Sequence, residues 1–355
     1  MTSGLLSNVK RSLRLSIRRN FIRALERSGL LWKSPYRTFG RGERERFVVL
    51  MYHRISASQT PDFLPSPLTC PLSKFLEHLA VLKQHFSVLA LDEVREILRS
   101  GRELPPRTVV LTFDDSWFDN LEFAARPLAE AGLPGTFFIP SADIDREDLH
   151  PDHRFYFLSR RVPADRFREV LQSMIPRSAA STPPPDHIFP LRRWLEASLG
   201  YVLVSPQGSN FLDALERELG APPTDGMGRS IYMTSEQVRS LSDFGVRVGN
   251  HTAHHWQLSS LDEAGQRKEL ADAQEALAAL VGKPITTLAY PYGEPQDYNE
   301  TSVRVSRELG FCCACTAVPG YNDASTDPLL LHRINPTWDR GRELVYRLLW
   351  GSRPL

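Results

Sequence analysis

Only four cysteines occur in the 355 residues, which excludes a disulfide framework for a chain of this length. Three of them cluster in Gly310-Phe311-Cys312-Cys313-Ala314-Cys315-Thr316. A soft-metal site is one reading of that cluster. A short buried strand, in which cysteine packs as a small hydrophobe, is the stronger one. An apolar run of membrane-spanning length is lacking too. The first 25 residues also miss the uninterrupted apolar stretch of a secretory signal. A cytoplasmic location is therefore the expectation. Charge of one sign is scarce, with 43 Lys+Arg against 42 Asp+Glu. It is unevenly placed: residues 1–46 carry 12 basic and 3 acidic residues, a net +9, and the remainder carries a net −8. A mildly acidic body argues against a nucleic-acid partner.

The basic segment 1–46 contains Leu6, Val9, Leu13, Ile17, Phe21 and Leu25 at the spacing of one helix face. Most of its arginines fall off that stripe. Two readings stay open for residues 5–27: contact with an anionic membrane, at the inner face for a cytoplasmic chain, or packing on the body or on a second subunit.

From residue 47 the chain alternates short β-branched or apolar runs with helical patterns. Strands are expected at 47–53, 108–113, 136–139, 245–248, 286–290, the cysteine run and Leu329–Leu331. Helices are expected near 71–86, 92–100, 119–131, 235–243, 262–281 and 300–309. Such alternation predicts βα units and a parallel α/β sheet or barrel. Residues 145–230 break the rhythm with Pro183-Pro184-Pro185 and scattered arginines. They read as a partly helical insertion on one βα loop. The organisation is thus a basic segment 1–46, a barrel domain 47–340 carrying the insertion 145–230, and a tail 341–355.

Chemistry gathers where the expected strands end, which is where α/β folds place functional groups. Asp114-Asp115 closes one strand, and two adjacent carboxylates there need a cation or a proton. His251 and His255 follow another, Pro291-Tyr292-Gly293 a third and His332 a fourth. His-x-x-x-His alone is a weak signal. Joined by an Asp from another strand end, it matches a 2-His-1-carboxylate face for a divalent metal.

Thr112-Phe113-Asp114-Asp115, His251-Thr252-x-x-His255 and Tyr290-Pro291-Tyr292-Gly293, in this order, resemble motifs of the polysaccharide deacetylase family. This is the NodB-homology group, similar to carbohydrate esterase family 4. Tyr52-His53-Arg54-Ile55 and Thr136-Phe137-Phe138-Ile139 resemble it as well, and the likeness spans roughly 47–340. It implies an irregular (β/α)7-type barrel with a large loop insertion. It also implies metal-dependent hydrolysis of a non-peptide amide, removing acetyl from an N-acetylated amino sugar in a poly- or oligosaccharide or lipid-linked glycan. The metal expected is Zn²⁺, with Co²⁺, Ni²⁺ or Fe²⁺ accepted by the same donors. By resemblance Asp115, His251 and His255 hold it, and Asp114 takes a proton from water. The backbone N–H of Tyr292 supports the oxyanion, and His332 protonates the leaving amine. His53, Trp117, Trp256 and Pro291 are substrate-contact candidates.

Three departures qualify the likeness. Ala289 stands where many members carry an Arg that orients the base; Arg333 or Arg54 could substitute. His254 could compete with His255. Leu331-His332-Arg333-Ile334 fits the final motif only loosely. A deformylase, another amide hydrolase on the same fold, and an inactive carbohydrate-binding protein are the alternatives.

Overall fold

The computed structural model describes residues 20–29, 46–57, 64, 68–176, 183–185, 188–200 and 202–350. Its frame is a parallel sheet. Strand β1 (Phe47–Tyr52) pairs with β5 (Thr108–Asp114), which pairs in turn with the short β4 (Ser87–Val88). Beyond β5 follow β6 (Thr136–Ile139), β7 (Arg247–Asn250), β8 (Thr287–Ala289) and β9 (Cys313–Cys315). On the other side of β1 lies β10 (Arg333–Ile334). An isolated parallel bridge between Cys315 and Leu331 links β9 back towards β10, so the sheet forms a nearly closed barrel. This is the parallel barrel that the alternation allows and the (β/α)7-type architecture that the resemblance implies. A small separate pair, β2 (Arg54–Ser56) with β3 (Thr69–Pro71), lies beside it.

The strands read as continuous apolar runs because both faces are covered. Val49, Val110, Phe138, Ala289, Cys313, Cys315 and Leu331 share one buried cluster. The opposite residues, Val48, Leu50, Val109, Leu111 and Phe137, pack in another cluster with the surrounding helices. Tyr52, Phe113 and Phe137 stack across three strands, with centroids 5.3 and 4.6 Å apart. The cysteines are free and three of the four are buried, as the strand reading requires.

Helix α1 (20–27) buries Ile22 and Leu25 in the main core. The described part of the basic stretch therefore packs on the body; Leu6, Val9, Leu13 and Ile17 lie outside the described residues. Helices α2 (Leu72–His85) and α3 (Leu91–Arg99) fall where the periodicity puts them. The helix expected at 119–131 opens instead as a π-helical turn, Leu121–Ala125, before α4 (Arg126–Ala131). Leu329–Leu331 is not a strand: Leu331 makes only its isolated bridge, and the pairing with β1 falls to Arg333 and Ile334.

The insertion is a small helical body: α5 (Pro151–Arg161), α6 (Ala164–Ser173), α7 (Ile188–Leu199) and α8 (Gly208–Leu219). It has its own core, including Phe155, Leu171, Leu195, Leu212 and Leu215, and Trp117 of the barrel packs into it. The chain then returns through α9 (Ser235–Ser240), opened by the Thr234/Gln237 capping box, and through α10 (Glu263–Val281) and α11 (Glu300–Glu308). The stretch after 340 is a correction to the tail reading. Gly341–Trp350 forms α12, which buries Leu344, Val345 and Leu348 in the main core and packs on α2.

His78, on the buried face of α2, lies between Tyr52 Oη (3.0 Å from Nδ1) and the Asp339 carbonyl (2.9 Å from Nε2). Burial lowers its pKa to about 4, outweighing the opposite pull of the Asp339 carbonyl. Between the unfolded value near 6.5 and about 4, the unfolded chain takes up a proton that the folded chain refuses. Stability should therefore fall as pH drops through this window, by up to about 3 kcal/mol from this residue. Urea unfolding of the native protein and of His78→Gln checks this: the variant, which cannot titrate, should show the shallower acid slope.

Candidate active site

The C-terminal ends of β5 and β7 supply three donors that converge beside the end of β8. Asp115 follows the last residue of β5 with φ +69°, a left-handed conformation that Asp tolerates better than most. His251 follows β7 directly, and the next turn is tied by local bonds. Asn250 Oδ1 accepts from Thr252 N–H at 2.7 Å, and Thr252 Oγ1 accepts from His255 N–H at 3.0 Å. Thr252, His255 and Tyr292 also have φ near +60°. Four non-glycine residues in this conformation around one cleft indicate backbone strain held by the surrounding fold.

His255 Nε2 lies 3.5 Å and His251 Nε2 3.8 Å from Asp115 Oδ1. One donor atom from each of the three residues falls within 4.8 Å of the others. Two of the outer atoms are already engaged. His251 Nδ1–H donates to the Ala289 carbonyl at 2.7 Å, which leaves Nε2 with its lone pair inward. Trp117 Nε1–H donates to Asp115 Oδ2 at 3.1 Å, leaving Oδ1 free. Burial lowers the pKa of both imidazoles and keeps them neutral. Burial, together with Asp114, pushes the Asp115 carboxyl well above its ordinary range. Two neutral imidazoles and a buried carboxylate wanting a positive partner are the donor chemistry of a divalent-cation site, and the residues fit one.

His254 turns the other way. Its Nδ1 and backbone N–H both meet the Glu269 carboxylate, at 2.7 and 2.8 Å, so α10 holds His254 away from the donor cluster. Trp117→Phe should keep most of the packing while lowering metal affinity about 10- to 100-fold, read by chelator competition.

Asp114 is 2 % exposed and faces Arg333, whose Nη1 donates to its Oδ1 at 2.7 Å. Arg333 is anchored through Nε–H to the Thr316 carbonyl at 2.7 Å. Burial alone raises the Asp114 pKa, but Arg333, His251 and His53 outweigh it and hold the carboxylate below its usual value. Arg333 therefore stands where Ala289 offers no cation. Arg54, the other candidate, is bound to Asp119 at 2.6 Å.

The cleft above these groups holds about 390 Å³ and is lined by His53, Asp114, Asp115, His251, His255 and Tyr292 among others. His332 is not in that lining. Successive residues of a strand face opposite sides, so with Arg333 turned to Asp114, His332 packs against Gly320. Trp117 is fully buried behind Asp115, not at a rim. Trp256 stacks on His254 with centroids 4.4 Å apart and, like the buried Pro291, is absent from the lining. Of the substrate-contact candidates only His53 stays in the cleft; burial lowers its pKa to about 4.

The comparisons with known proteins agree with this frame. The family described as polysaccharide deacetylase matches residues 215–314, which contain His251, His255 and the Tyr292 turn. YxkH of Bacillus subtilis (strain 168), whose name places it among the polysaccharide deacetylases, is 26% identical over 290 residues. The match covers 81% of this chain and 71% of YxkH. The chain is similar to polysaccharide deacetylases in sequence over these stretches. The family's enzymes are hydrolases of carbon–nitrogen bonds other than peptide bonds. Among solved structures, the Streptococcus pyogenes deacetylase PplD in complex with acetate superposes with a TM-score of 0.57 at 19% identity. That match covers 87% of this chain and 99% of that one. IcaB from Ammonifex degensii gives 0.55 at 17% identity, covering 86% and 97%. At these identities the superpositions speak for the fold.

The insertion supplies a cleft wall that sequence reading did not find. Asp152, His153 and Tyr156 of α5 and Arg192 and Glu196 of α7 all line the site. Arg192 lies 4.4 Å above the Tyr292 ring and pairs with Asp152 and Glu196, each at 3.0 Å. The Tyr292 ring also meets His255, edge-on at 4.8 Å. The one signal in the sequence is a cluster of titratable residues inside an aromatic helix: α5 buries Asp152 and His153 beside Phe155 and Tyr156.

Proposed function

We propose that this cleft hydrolyses the acetamide of an N-acetylated amino sugar, in a poly- or oligosaccharide or a lipid-linked glycan, releasing acetate and the free amine. The observation that carries the reading is the pairing of a base with a donor set. Asp114, held ionised by Arg333, stands beside Asp115, His251 and His255 with their free atoms turned to one point. Asp115, His251 and His255 would hold a divalent cation, Zn²⁺ or alternatively Co²⁺, Ni²⁺ or Fe²⁺, supplying Lewis acidity and making water easier to deprotonate at neutral pH.

The chain's own groups do the rest. Asp114 Oδ accepts the proton of the attacking water, and Arg333 fixes the carboxylate for that transfer. Tyr292, held by Arg192 and His255, presents its backbone N–H to the oxygen that becomes negative. The proton must end on the leaving nitrogen. His53, neutral at rest and coupled to Asp114 by charge, is the cleft imidazole that can pass it on; this role moves from His332 to His53. Arg333 also removes the main motive for an inactive protein, since the cation missing at Ala289 is supplied from β10.

The test is metal content and acetate release measured together. The native protein should carry near-stoichiometric metal and release acetate from a panel of N-acetylated amino sugars, while His251→Ala and Asp115→Ala lose both. Little metal, unrestored by added Zn²⁺ or Co²⁺, would rule the reading out.

A further inference from the structure

The insertion carries a buried imidazole that this mechanism does not use. His153 lies in α5 with 7 % of its surface exposed, and it lines the cleft. Its Nδ1 is 2.6 Å from Tyr232 Oη, and the same oxygen accepts the His150 backbone N–H at 2.9 Å. The Tyr232 hydroxyl has a single proton. Among the described residues its only hydrogen-bond acceptor is His153 Nδ1, so the hydroxyl donates there and Nδ1 is the acceptor. The neutral ring then carries its hydrogen on Nε2, for which the described residues provide no partner.

Tyr232 is itself fixed. It forms an antiparallel bridge with Trp117, flanked by Met233 N–H to the Ser116 carbonyl at 2.7 Å and Phe118 N–H to the Ile231 carbonyl at 2.9 Å. The His153 ring lies 4.6 Å from the Trp117 ring, which in turn holds Asp115. The donor is thus tied through two short links to the same loop that presents the metal-binding carboxylate. Arg192, on the same wall, is occupied by Asp152, Glu196 and the Tyr292 ring.

The geometry points to His153 as a specificity-determining residue whose Nε2–H, set by Tyr232, holds a hydroxyl or carbonyl oxygen of the amino sugar against the insertion wall. This rests on the proposed deacetylase reading. A fixed neutral donor suits a sugar oxygen because it neither competes for the metal nor changes charge near neutral pH. The insertion would then act as a substrate-selecting wall, and not only as a lid on the fold.

Two measurements on the full chain separate the two claims. The first is the ¹⁵N spectrum of histidine-labelled protein, which reads the tautomer without any substrate. His153 should be Nε2–H in the native protein and lose that preference in Tyr232→Phe. An Nδ1–H tautomer in the native protein overturns the inference, whatever sugar is hydrolysed. The second is steady-state kinetics with N-acetylated chito-oligosaccharides. His153→Phe should raise KM about tenfold, the loss of one hydrogen bond, with kcat and metal content little changed. His153→Gln, whose amide can donate from a similar place, should restore most of it. An unchanged KM in His153→Phe overturns the inference. A native protein that carries metal but hydrolyses no N-acetylated sugar sinks the deacetylase reading and, with it, the oxygen assigned to His153.

Discussion

Asp114→Asn should lower kcat about 10³-fold, the usual worth of a positioned general base, with metal content near that of the native protein. Asn has nearly the same shape, and its carbonyl oxygen can still accept from Arg333 Nη1, so the packing around β5 is preserved. It cannot take a proton from water. The effect on the metal donors is favourable, because the Asp114 charge is one cause of the raised Asp115 pKa. Initial rates of acetate release beside metal analysis check this. A variant that keeps a large share of kcat would move the base role to another carboxylate of the cleft.

Arg333→Met should be the most destabilising single change at the site, about 3–5 kcal/mol, because it strands a buried carboxylate. Arg333 and Asp114 have side chains only 1 % and 3 % exposed. In the native protein the Asp114 pKa is held down, chiefly by Arg333 against the effect of burial. Its ionisation therefore contributes stability above the unfolded carboxylate value, and this is lost as pH falls through the lower folded value. Without Arg333 the sign reverses. Burial then pushes the Asp114 pKa up, the penalty is largest at neutral pH, and acidification relieves it as the carboxyl takes up a proton. The double variant Arg333→Met/Asp114→Asn should recover much of the loss at pH 7, a coupling that a double-mutant cycle by urea unfolding measures. Independent, additive losses would mean that the pair is not the unit described.

Much of this site is readable in one dimension because its parts sit at strand ends. β5 runs from Thr108 without a side chain exposed to solvent and ends on Asp114, with Asp115 next, and His251 likewise follows the end of β7. The turn after β7 is tied locally by Asn250 and Thr252, while Glu269 of the distant α10 holds His254 away from the donors. The barrel is legible for a related reason: strands covered on both faces are largely apolar, and helices between them keep their 3.6-residue stripe.

Tertiary structure alone decided the rest. His332 and Arg333 are neighbours in sequence, and a one-residue difference in which side of the strand faces the cleft exchanges an imidazole for a guanidinium. Trp117 is an aromatic after an acidic pair in the sequence; only the packing of the insertion core turns it into a buried donor to Asp115. His53 enters the cleft because β1 lies beside β5, and His153, Arg192 and Tyr292 meet because two helices of an insertion fold back over a turn that lies 100 residues away from Arg192. Residue type and period determine which elements form and where they end. The side on which each side chain emerges, and what a distant segment brings to it, depend on register and packing, which exist only once the chain has closed.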